Sequence, residues 1–286
     1  MSAFLSYLAH GIAVGCGFSL VATGLIIIYR VTRVVNLAQG MFAVIAAFTA
    51  ATLLDAGVAH GPAELAAIGA AAMAGCFTGV VAIGKRGTAP QASLIATLGV
   101  GILGYAFEVL VWGDQPRSFT GLSGVFDLGG VAVPKQYVMI TAITVVVFTL
   151  LEVLFERTYL GKALSACASN PYAAALVGID VTRMGILGFT LGGALGGIAG
   201  ILLTPLRPVS FDSDVSLLVD GFATAILAGL SQPRLALLGG ILLGVAEAMV
   251  AGYAKASYQS SVALLLTLSI LVVQASRRPA LHAAEE

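Results

Sequence analysis

Three acids that stand within long apolar stretches are the first residues of this sequence that could do chemistry. Glu108, Glu152 and Glu247 lie in or at the end of such stretches. A charge at the centre of a bilayer costs about 2.5–3.5 kcal/mol on insertion scales, so each acid needs a compensating environment. Glu108 and Glu152 lie near the ends of their stretches and are predicted to reach headgroup water. Glu247 is central and is predicted either to line a wet cavity or to hydrogen-bond across helices. None has a matching basic residue inside the apolar stretches, which argues against an ion-coupled relay.

Two amides form a second candidate site. Asn36 and Gln39 stand in V-V-N-L-A-Q-G-M, directly after the charged turn from Arg30 to Arg33. Residues three apart share one face of a helix. Two interpretations remain open: a cap or helix–helix hydrogen bond, or a polar contact beside a substrate path at a discontinuous helix.

The side chains that most often perform catalysis or bind metals are scattered. The histidines have no partner at ligand spacing, and the cysteines lie far apart without a paired motif: His10, His60, His282, Cys16, Cys76 and Cys167. Such cysteines are typical small packing residues. We therefore predict no catalytic set, no bound metal and no cofactor on this chain.

One stretch resembles the start of a phosphate-binding loop. Residues 79–85 read G-V-V-A-I-G-K, but Arg86 stands where a magnesium-binding Ser or Thr is needed. The glycines also fall in an apolar stretch and not between a strand and a helix, as such a loop requires. We therefore expect no ATPase activity from this chain itself.

The amino-acid composition argues against a soluble enzyme. Of 286 residues, 59% are hydrophobic and only 28 are charged, with 35 glycines and no net charge. Soluble domains carry roughly a quarter of charged residues. No basic cluster is longer than two residues, so nothing in the sequence indicates nucleic-acid binding. The chain is predicted to be one polytopic, all-α membrane domain covering residues 1–286.

Uncharged runs predict eight membrane-spanning helices, because about 20 apolar residues cross the hydrocarbon layer as a helix. A ninth run, 215–230, is short and is predicted either to cross with a tilt or to re-enter on one side. The eight runs are 8–29, 34–54, 65–84, 91–112, 136–155, 184–203, 235–253 and 260–276.

Charge asymmetry predicts the orientation. With nine spans, ten basic residues fall on one side and only four on the other. Basic residues favour the cytoplasm, so the N-terminus is predicted to lie outside and the C-terminus inside. The ten are Arg30, Arg33, Lys85, Arg86, Arg157, Lys162, Arg183, Arg234, Arg277 and Arg278, and the four are Arg117, Lys135, Arg207 and Lys255.

Two connecting segments are longer than a link requires. The external segment 113–135 contains prolines and glycines and is predicted to fold as a cap or docking surface. The cytoplasmic segment 156–183 predicts two short helices, because Asn170-Pro171 matches a helix start and Gly178 a helix stop. Neither helix is long enough to span, so this segment must contact a partner or lie in the membrane interface.

Glycine spacing predicts how the helices pack. Lipid tails provide no hydrophobic drive for helix association, so close backbone approach at small residues replaces it. One helix carries a stripe with a four-residue period: Gly188, Gly192, Gly196 and Gly200.

Two motifs resemble a known family. Residues 29–40, Y-R-V-T-R-V-V-N-L-A-Q-G, resemble a conserved region of LivH-type permeases of branched-chain amino acid ABC importers. Residues 160–180, L-G-K-A-L-S-A-C-A-S-N-P-Y-A-A-A-L-V-G-I-D, are similar to the cytoplasmic coupling loop of that family. The final third fits too, with A-I-L-A-G-L at 225–230 and G-G-I-L-L-G-V-A-E-A at 239–248.

The resemblance implies an importer subunit in a bacterial inner membrane. Its partners would be a second permease of the LivM type or a second copy, two ATP-binding subunits that hold ATP and magnesium, and an external solute-binding protein. The solute would be a branched-chain or related amino acid, and a stand-alone secondary transporter or channel is the alternative. The resemblance assigns the coupling loop to Gly161, Ala163, Ala166, Asn170, Pro171, Ala174, Ala175 and Gly178.

The same resemblance suggests where the solute passes. Asn36, Gln39 and Glu247 are the candidate polar contacts along the path. Gln39 replaces the histidine that is usual in the family motif, and Met41 stands where an acid is common. These departures leave the identity of the solute open within amino acids, amides and urea.

Overall fold

The helices of this protein were located in a computed structural model, which describes residues 2–84, 90–127, 132–230, 232–254 and 258–276. Eleven helices fall within these ranges: α1 Ser2–Thr32, α2 Gln39–Asp55, α3 His60–Ile83, α4 Pro90–Trp112, α5 Lys135–Arg157, α6 Tyr159–Ser169, α7 Pro171–Leu176, α8 Val181–Leu203, α9 Ser213–Leu227, α10 Pro233–Tyr253 and α11 Gln259–Ser276.

The segment 113–135 adds a small element of β structure to the all-α prediction. Strands β1, Val125–Asp127, and β2, Ala132–Pro134, pair antiparallel, with Phe126 opposite Val133. Residues 128–131 of this segment lie outside the described ranges. Arg117 also exchanges two backbone hydrogen bonds with Val209, at 2.8 and 2.9 Å, which ties this segment to the chain after α8. We call this side of the bundle the hairpin face and the opposite side, which carries α6 and α7, the α6–α7 face.

Six of the described helices are long and apolar enough to cross a membrane: α1, α3, α4, α5, α8 and α10. Each predicted run coincides with a helix, including 215–230, which contains most of α9. However, α2 has only 17 residues and α9 only 15. At 1.5 Å per residue these two are shorter than the hydrocarbon layer of about 30 Å, so each covers only part of the bundle's depth. The protein is a multi-pass helical membrane protein, and a count of eight or nine spans stays a prediction.

Helix α1 lies at the centre of the bundle. It packs antiparallel on α10 through glycines that bring the two backbones together, Gly11 and Gly15 against Gly240 and Gly244. A Cβ atom at Gly11 would stand only 2.6 Å from the Cα of Val245, so no larger residue fits there without a shift. Small residues therefore set the distance between the two helices, as expected where lipid supplies no hydrophobic drive.

The glycine stripe of α8 forms a second such interface. Gly200 packs against the backbone of Ala43 on α2, and Gly196 against Phe42. Gly192 faces Ile28 and Gly24 of α1, while Gly188 has looser contact with Val31 at 3.9 Å. The adjacent Gly193 packs on the backbone of Ala71 on α3. A single helix can touch three neighbours closely because its glycines cover more than one face.

Two helices begin in the interior of the bundle. Gln39, the first residue of α2, donates a hydrogen bond to the carbonyl of Gly192, which is the midpoint of the 23-residue α8. Gly40 touches the backbone of Asp214 in the first turn of α9, so α9 begins at the same depth. From there α2 runs to the hairpin face and α9 to the α6–α7 face. The chain reaches these starts through two non-helical links, the α1–α2 link (33–38) and the α8–α9 link (204–212).

The packing pairs reveal two repeats of opposite direction. Helix α1 packs on α10 and α9. In the same way, α8 packs on α3 and α2, so α8, α3 and α2 correspond to α1, α10 and α9. The pairs α2 with α3, α2 with α4 and α3 with α4 likewise correspond to α9 with α10, α9 with α11 and α10 with α11. Helices α1 and α8 are antiparallel, with Gly24 next to Gly192. Inverted repeats with discontinuous helices at the membrane midplane are typical of transport proteins.

Candidate functional site

The α1–α2 link is held by a network of neutral polar groups. Asn36 donates from Nδ2 to Oε1 of Gln39 at 3.1 Å, and its Oδ1 accepts from the backbone N–H of Ala38 at 3.1 Å. Gln39 Nε2 donates to the carbonyl of Gly192 at 2.9 Å. Both amides are fully buried. Their geometry is the helix–helix hydrogen bond that was one of the two interpretations of this pair, and a direct contact with the solute stays a prediction.

The link also contacts α4 and the α6–α7 face. The hydroxyl of Thr97 accepts from the N–H of Leu37 at 3.2 Å. Arg33 has a positive φ of 59°, a conformation that costs energy for any residue except glycine, and its guanidinium donates to the carbonyl of Ala168 on α6 at 3.0 Å. The sharp end of α1 is therefore tied directly to the short helices.

A cavity of about 460 Å³ lies where the two interior helix starts meet α4. Leu37, Met41 and Leu98 form part of its apolar wall, and Gly101 leaves room for it. Tyr105 and Asp214 contribute its polar groups. A volume of this size is in the range of sites for small organic ligands, about 300–1,000 Å³, and the mixture of an apolar wall with few polar groups is typical of them.

A buried acid stands beside this cavity. Glu108 is fully buried on α4, and neither of its carboxylate oxygens has a hydrogen-bond partner among the described residues. It lies one turn beyond Gly104, whose Cα packs against the side chain of Met41, so Glu108 is on the cavity side of α4. The charge of Asp214, which lines the cavity, acts on Glu108. The prediction placed Glu108 near headgroup water, but its burial is inconsistent with that position.

A second group of buried charges surrounds Glu247. Arg207 Nη2 lies 3.9 Å from Oδ2 of Asp220, and its guanidinium stacks over the ring of Phe18 at 5.9 Å from the centroid. The charges of Asp220 and Arg207 both act on Glu247, which accepts a hydrogen bond from Gln259 at 3.3 Å. Arg207 stands outside the apolar stretches, so the sequence did not indicate this basic partner of Glu247. Arg207 looked like a loop residue, but the α8–α9 link folds back and carries it into the bundle.

Glu152 also has a basic partner. The guanidinium of Arg234, in the first turn of α10, donates to Glu152 at 2.8 Å and to Glu156 of the same helix. The three side chains are about half exposed or more at the α6–α7 face, where they line a cavity of about 250 Å³ together with Arg30. This exposure agrees with the expectation that Glu152 reaches headgroup water, where such ion pairs contribute about 0–1 kcal/mol.

The segment 156–183 contains two short helices. Thr158 caps α6 by accepting from the N–H of Gly161 at 3.1 Å, and Asn170 caps α7 by accepting from the N–H of Ala173 at 3.0 Å. Pro171 follows as the first residue of α7, and Gly178 has a positive φ of 86° just after its end. The helix start and stop predicted at these residues are both present in the structure.

The two short helices divide their residues between an inner and an outer side. Gly161 packs on the backbone of Leu154, and Ala174 lies in a buried cluster with Val31, Leu164 and Cys167. Burial raises the pKa of the Cys167 thiol above its usual value. The outer side is apolar and open, with Tyr159 93% exposed, and with Tyr172, Leu176 and Val177 also largely exposed. Of the remaining coupling-loop residues, Ala163 and Ala166 are half-buried, while Asn170, Pro171, Ala175 and Gly178 are exposed.

The scattered histidines and cysteines do not converge. His10 hydrogen-bonds to Tyr137 at 3.0 Å, and His60 pairs with Glu64 one helical turn away at 3.2 Å on the surface. His282 lies outside the described ranges. Within those ranges no three His, Cys, Asp or Glu side chains come together as metal ligands would. Gly79, the start of the loop-like motif, lies within α3 and packs on Phe189 of α8, whereas Lys85 and Arg86 are not among the described residues.

The sequence as a whole is similar to known permeases. Residues 7–273 match the family described as branched-chain amino acid transport system, permease component. The chain is 27% identical to the probable branched-chain amino acid transport permease protein LivH of Methanocaldococcus jannaschii, over 89% of this chain and 85% of that protein. It is 29% identical to the high-affinity branched-chain amino acid transport system permease protein BraD of Pseudomonas aeruginosa, over 94% of this chain and 93% of that protein.

A solved structure supports the fold. The structure titled PsaBC from Streptococcus pneumoniae in complex with Fab contains a chain that matches with a TM-score of 0.53. The match covers 94% of this chain and 89% of that chain at 12% sequence identity. At such low identity the match concerns the arrangement of helices alone.

Proposed function

The chain belongs to the permease components of branched-chain amino acid transport systems, and we propose that it carries a branched-chain or related amino acid as one subunit of an ATP-driven importer. It is a transport subunit and not an enzyme. Two ATP-binding subunits would supply the energy and hold ATP and magnesium. A second permease, either of the LivM type or a second copy, and an external solute-binding protein would complete the assembly. A stand-alone secondary transporter or channel does not agree with the family.

We propose that the hairpin face lies outside and the α6–α7 face in the cytoplasm of a bacterial inner membrane. Among the described basic residues, only Arg117, Lys135 and Arg207 belong to the hairpin side. The α6–α7 side carries Arg30, Arg33, Arg157, Lys162, Arg183 and Arg234. This asymmetry supports an external N-terminus and a cytoplasmic C-terminus. Lys85, Arg86, Lys255, Arg277 and Arg278, which entered the sequence-based prediction, lie outside the described ranges.

The open apolar surface of α6 and α7 carries this proposal. Tyr159, Tyr172, Leu176 and Val177 cover the outer side of two helices that are too short to span a membrane. Exposed apolar patches of this kind mark interaction sites. The inner side of the same helices is fixed to α1 through Arg33, so a partner bound there can move the helix that leads to the interior links. We assign this surface to the ATP-binding subunits.

The proposed path runs along the interior starts of α2 and α9. Asn36 and Gln39 fix the first turn of α2 beside Leu37 and Met41, which line the cavity. Glu247 belongs to the charged group at the α8–α9 link on the other side of this junction. These three residues remain our candidate polar contacts, and the hairpin and residues 113–127 are our candidate surface for the solute-binding protein.

A copurification experiment tests the assignment of the α6–α7 surface. In the double variant Tyr172→Glu, Leu176→Glu, two charges enter the exposed surface without any change in the buried contacts of α7. We expect the variant to insert normally, to lose copurification of the ATP-binding subunits by about tenfold, and to lose ATP-dependent leucine uptake with it. Val125→Glu on β1, which is also exposed and apolar, is the matched control and should retain the ATP-binding subunits.

If the double variant retained the ATP-binding subunits, the proposal that they bind the α6–α7 surface would be contradicted. Uptake of leucine by the purified chain alone, driven by an ion gradient, would remove the importer proposal as a whole. Each outcome is distinct because binding of the ATP-binding subunits and uptake are measured on the same preparation.

A further inference from the structure

Glu108 and Asp214 are two carboxylates for which the fold provides no cation. Glu108 is fully buried on α4 with both oxygens unpartnered among the described residues, and Asp214 lies in the first turn of α9, where its Oδ1 accepts only from the adjacent N–H of Val215. Helical spacing places Glu108 on the same face of α4 as Gly101 and Tyr105, which line the cavity with Asp214. No ion pair involving either acid is found in the described part of the chain. Because a buried carboxylate without a partner is costly, Glu108 needs a positively charged ligand or a proton, and the half-buried Asp214 adds a second negative charge on the cavity side.

The cavity wall around the two carboxylates indicates what kind of ligand they bind. The cavity that Asp214 lines has an apolar wall formed by Leu37, Met41 and Leu98, and Tyr105 also lines it. A hydrated metal ion would find few oxygen ligands there. An ammonium group attached to a small apolar body suits both parts of the site, since the ammonium can donate to the two carboxylates while the apolar part contacts the wall.

The start of α2 can complete the recognition of an amino acid. Its first turn borders the cavity at Met41, and none of the described side chains caps this helix end. Uncapped N–H groups and the helix dipole favour an anion such as a carboxylate. The site therefore offers acceptors for an ammonium group, donors for a carboxylate and an apolar wall for a side chain, which is the pattern of a zwitterionic apolar amino acid.

We propose that this cavity is the point within the bundle where the transported amino acid is held, with its ammonium group bound by Glu108 and Asp214. The inference rests on the proposed import function and adds the site and the two residues that select the solute. Solute would enter from the side of α4 and α9, where Ile102 and Val215 leave the cavity wall exposed. The carboxylates act at this point of the path and not in docking of the ATP-binding subunits.

Isosteric neutral variants test the role of the acids. The complete complex with its solute-binding protein is reconstituted in liposomes, and uptake of radiolabelled leucine and ATP hydrolysis are measured together. We expect Glu108→Gln and Asp214→Asn each to lower the leucine transported per ATP by about tenfold. Assembly and basal ATP hydrolysis should stay within about twofold of wild type, because neither residue reaches the α6–α7 surface. Glu64→Gln, at an exposed acid of α3, is the control and should transport normally.

A pair of glycine variants tests the cavity itself. A Cβ atom at Gly101 meets nothing closer than 3.6 Å, so the side chain of Gly101→Leu can enter the cavity without a backbone clash. Gly99→Leu lies on the same helix, two residues away, with nothing within 4 Å, and is the matched control. We expect the first variant to fold and assemble but to lose leucine uptake, and the second to behave as wild type.

The outcomes separate the site from the function. If wild-type complex transports leucine and the acid or Gly101 variants transport it equally well, this site is wrong and the import function stands. If wild-type complex transports radiolabelled acetamide, which has no ammonium group, and not leucine, the role of the acids is overturned while the permease role survives. If it transports neither probe with ATP, the proposed function fails and this inference fails with it.

Discussion

The α1–α2 link and the α8–α9 link occupy equivalent places in the two inverted repeats, yet they differ in chemistry. The first is held by the neutral pair Asn36 and Gln39, which are fully buried and bonded to each other and to α8. The second carries Arg207 toward the acids Asp220 and Glu247. In this charged group one nitrogen of Arg207 and one oxygen of Glu247 have no hydrogen-bond partner among the described residues.

The difference indicates that the links have different roles. A buried polar network in which the groups are paired fixes one arrangement of the backbone, whereas a partly paired charged group contributes little net stability. We therefore expect the α1–α2 link to be the rigid half of the junction. The α8–α9 link is the half in which side chains can exchange partners as the transporter changes conformation.

The largest effect is expected where the first turn of α2 meets the first turn of α9, which is the junction that both links share. Gly40→Leu places a side chain against the carbonyl oxygen of Asp214, where even a Cβ atom overlaps the backbone of α9. Overpacking of this kind costs about 1–3 kcal/mol or more, so folded protein should fall by about tenfold. Size-exclusion chromatography after detergent extraction measures this. Gly69→Leu, at a glycine of α3 with nothing within 4 Å, should leave the yield unchanged, and an equal loss in both variants would contradict the prediction.

A smaller effect is expected at the neutral link. Gln39→Leu removes the bond to the carbonyl of Gly192 and leaves the Nδ2 of Asn36 without its acceptor. Unpaired buried polar groups cost about 1–3 kcal/mol, so the melting temperature should fall by several degrees. Thermal unfolding followed through the single tryptophan, Trp112, reports the change. Gln115→Leu serves as control, because this surface amide bonds only to its neighbour Asp114 within the described part of the chain. Equal melting temperatures for the two variants would show that the amide pair does not fix the link.

The smallest effect is expected at the charged link. Glu247→Gln removes one of two acids whose charges interact with the Arg207 guanidinium, and it keeps an acceptor for Gln259. The loss of an incompletely compensated charge should leave the free energy of unfolding within about 1 kcal/mol of wild type. Thermal unfolding followed through Trp112 measures this change. A destabilisation as large as that of Gln39→Leu would mean that both links are rigid and would remove the contrast between them.

Sequence patterns predict the helices well because apolar runs determine them directly. Every predicted run contains a helix, and Asn170, Pro171 and Gly178 locate the start and stop of α7 through local capping. The run 34–54 misses that its first residues, 34–38, are not helical. No proline or glycine occurs in 34–38, so the break arises from contacts with Thr97 and Gly192, which are far away in the chain.

The site is harder to predict than the helices because its residues come from distant segments. Asn36, Gln39 and Glu247 stand out as polar residues in apolar surroundings. Asp214 and Arg207, in contrast, lie in a stretch with the composition of an ordinary polar loop, and only the return of the α8–α9 link into the bundle buries their surroundings. An acid at the start of a short apolar run after a long span is the one signal in the sequence that could have indicated Asp214.

The central position of α1 has a consequence for how the protein is made. Gly15 and Gly240, which bring α1 and α10 together, are separated by 225 positions. At translation rates of about 5–20 residues per second, the first helix waits roughly 10–45 s for its main neighbour to leave the ribosome. During that interval its stripe of small residues has no close backbone to meet. The Gly11 and Gly15 side of the first helix therefore stays open until α10 has been synthesised, although α5 and α8 can pack on other sides of α1 earlier.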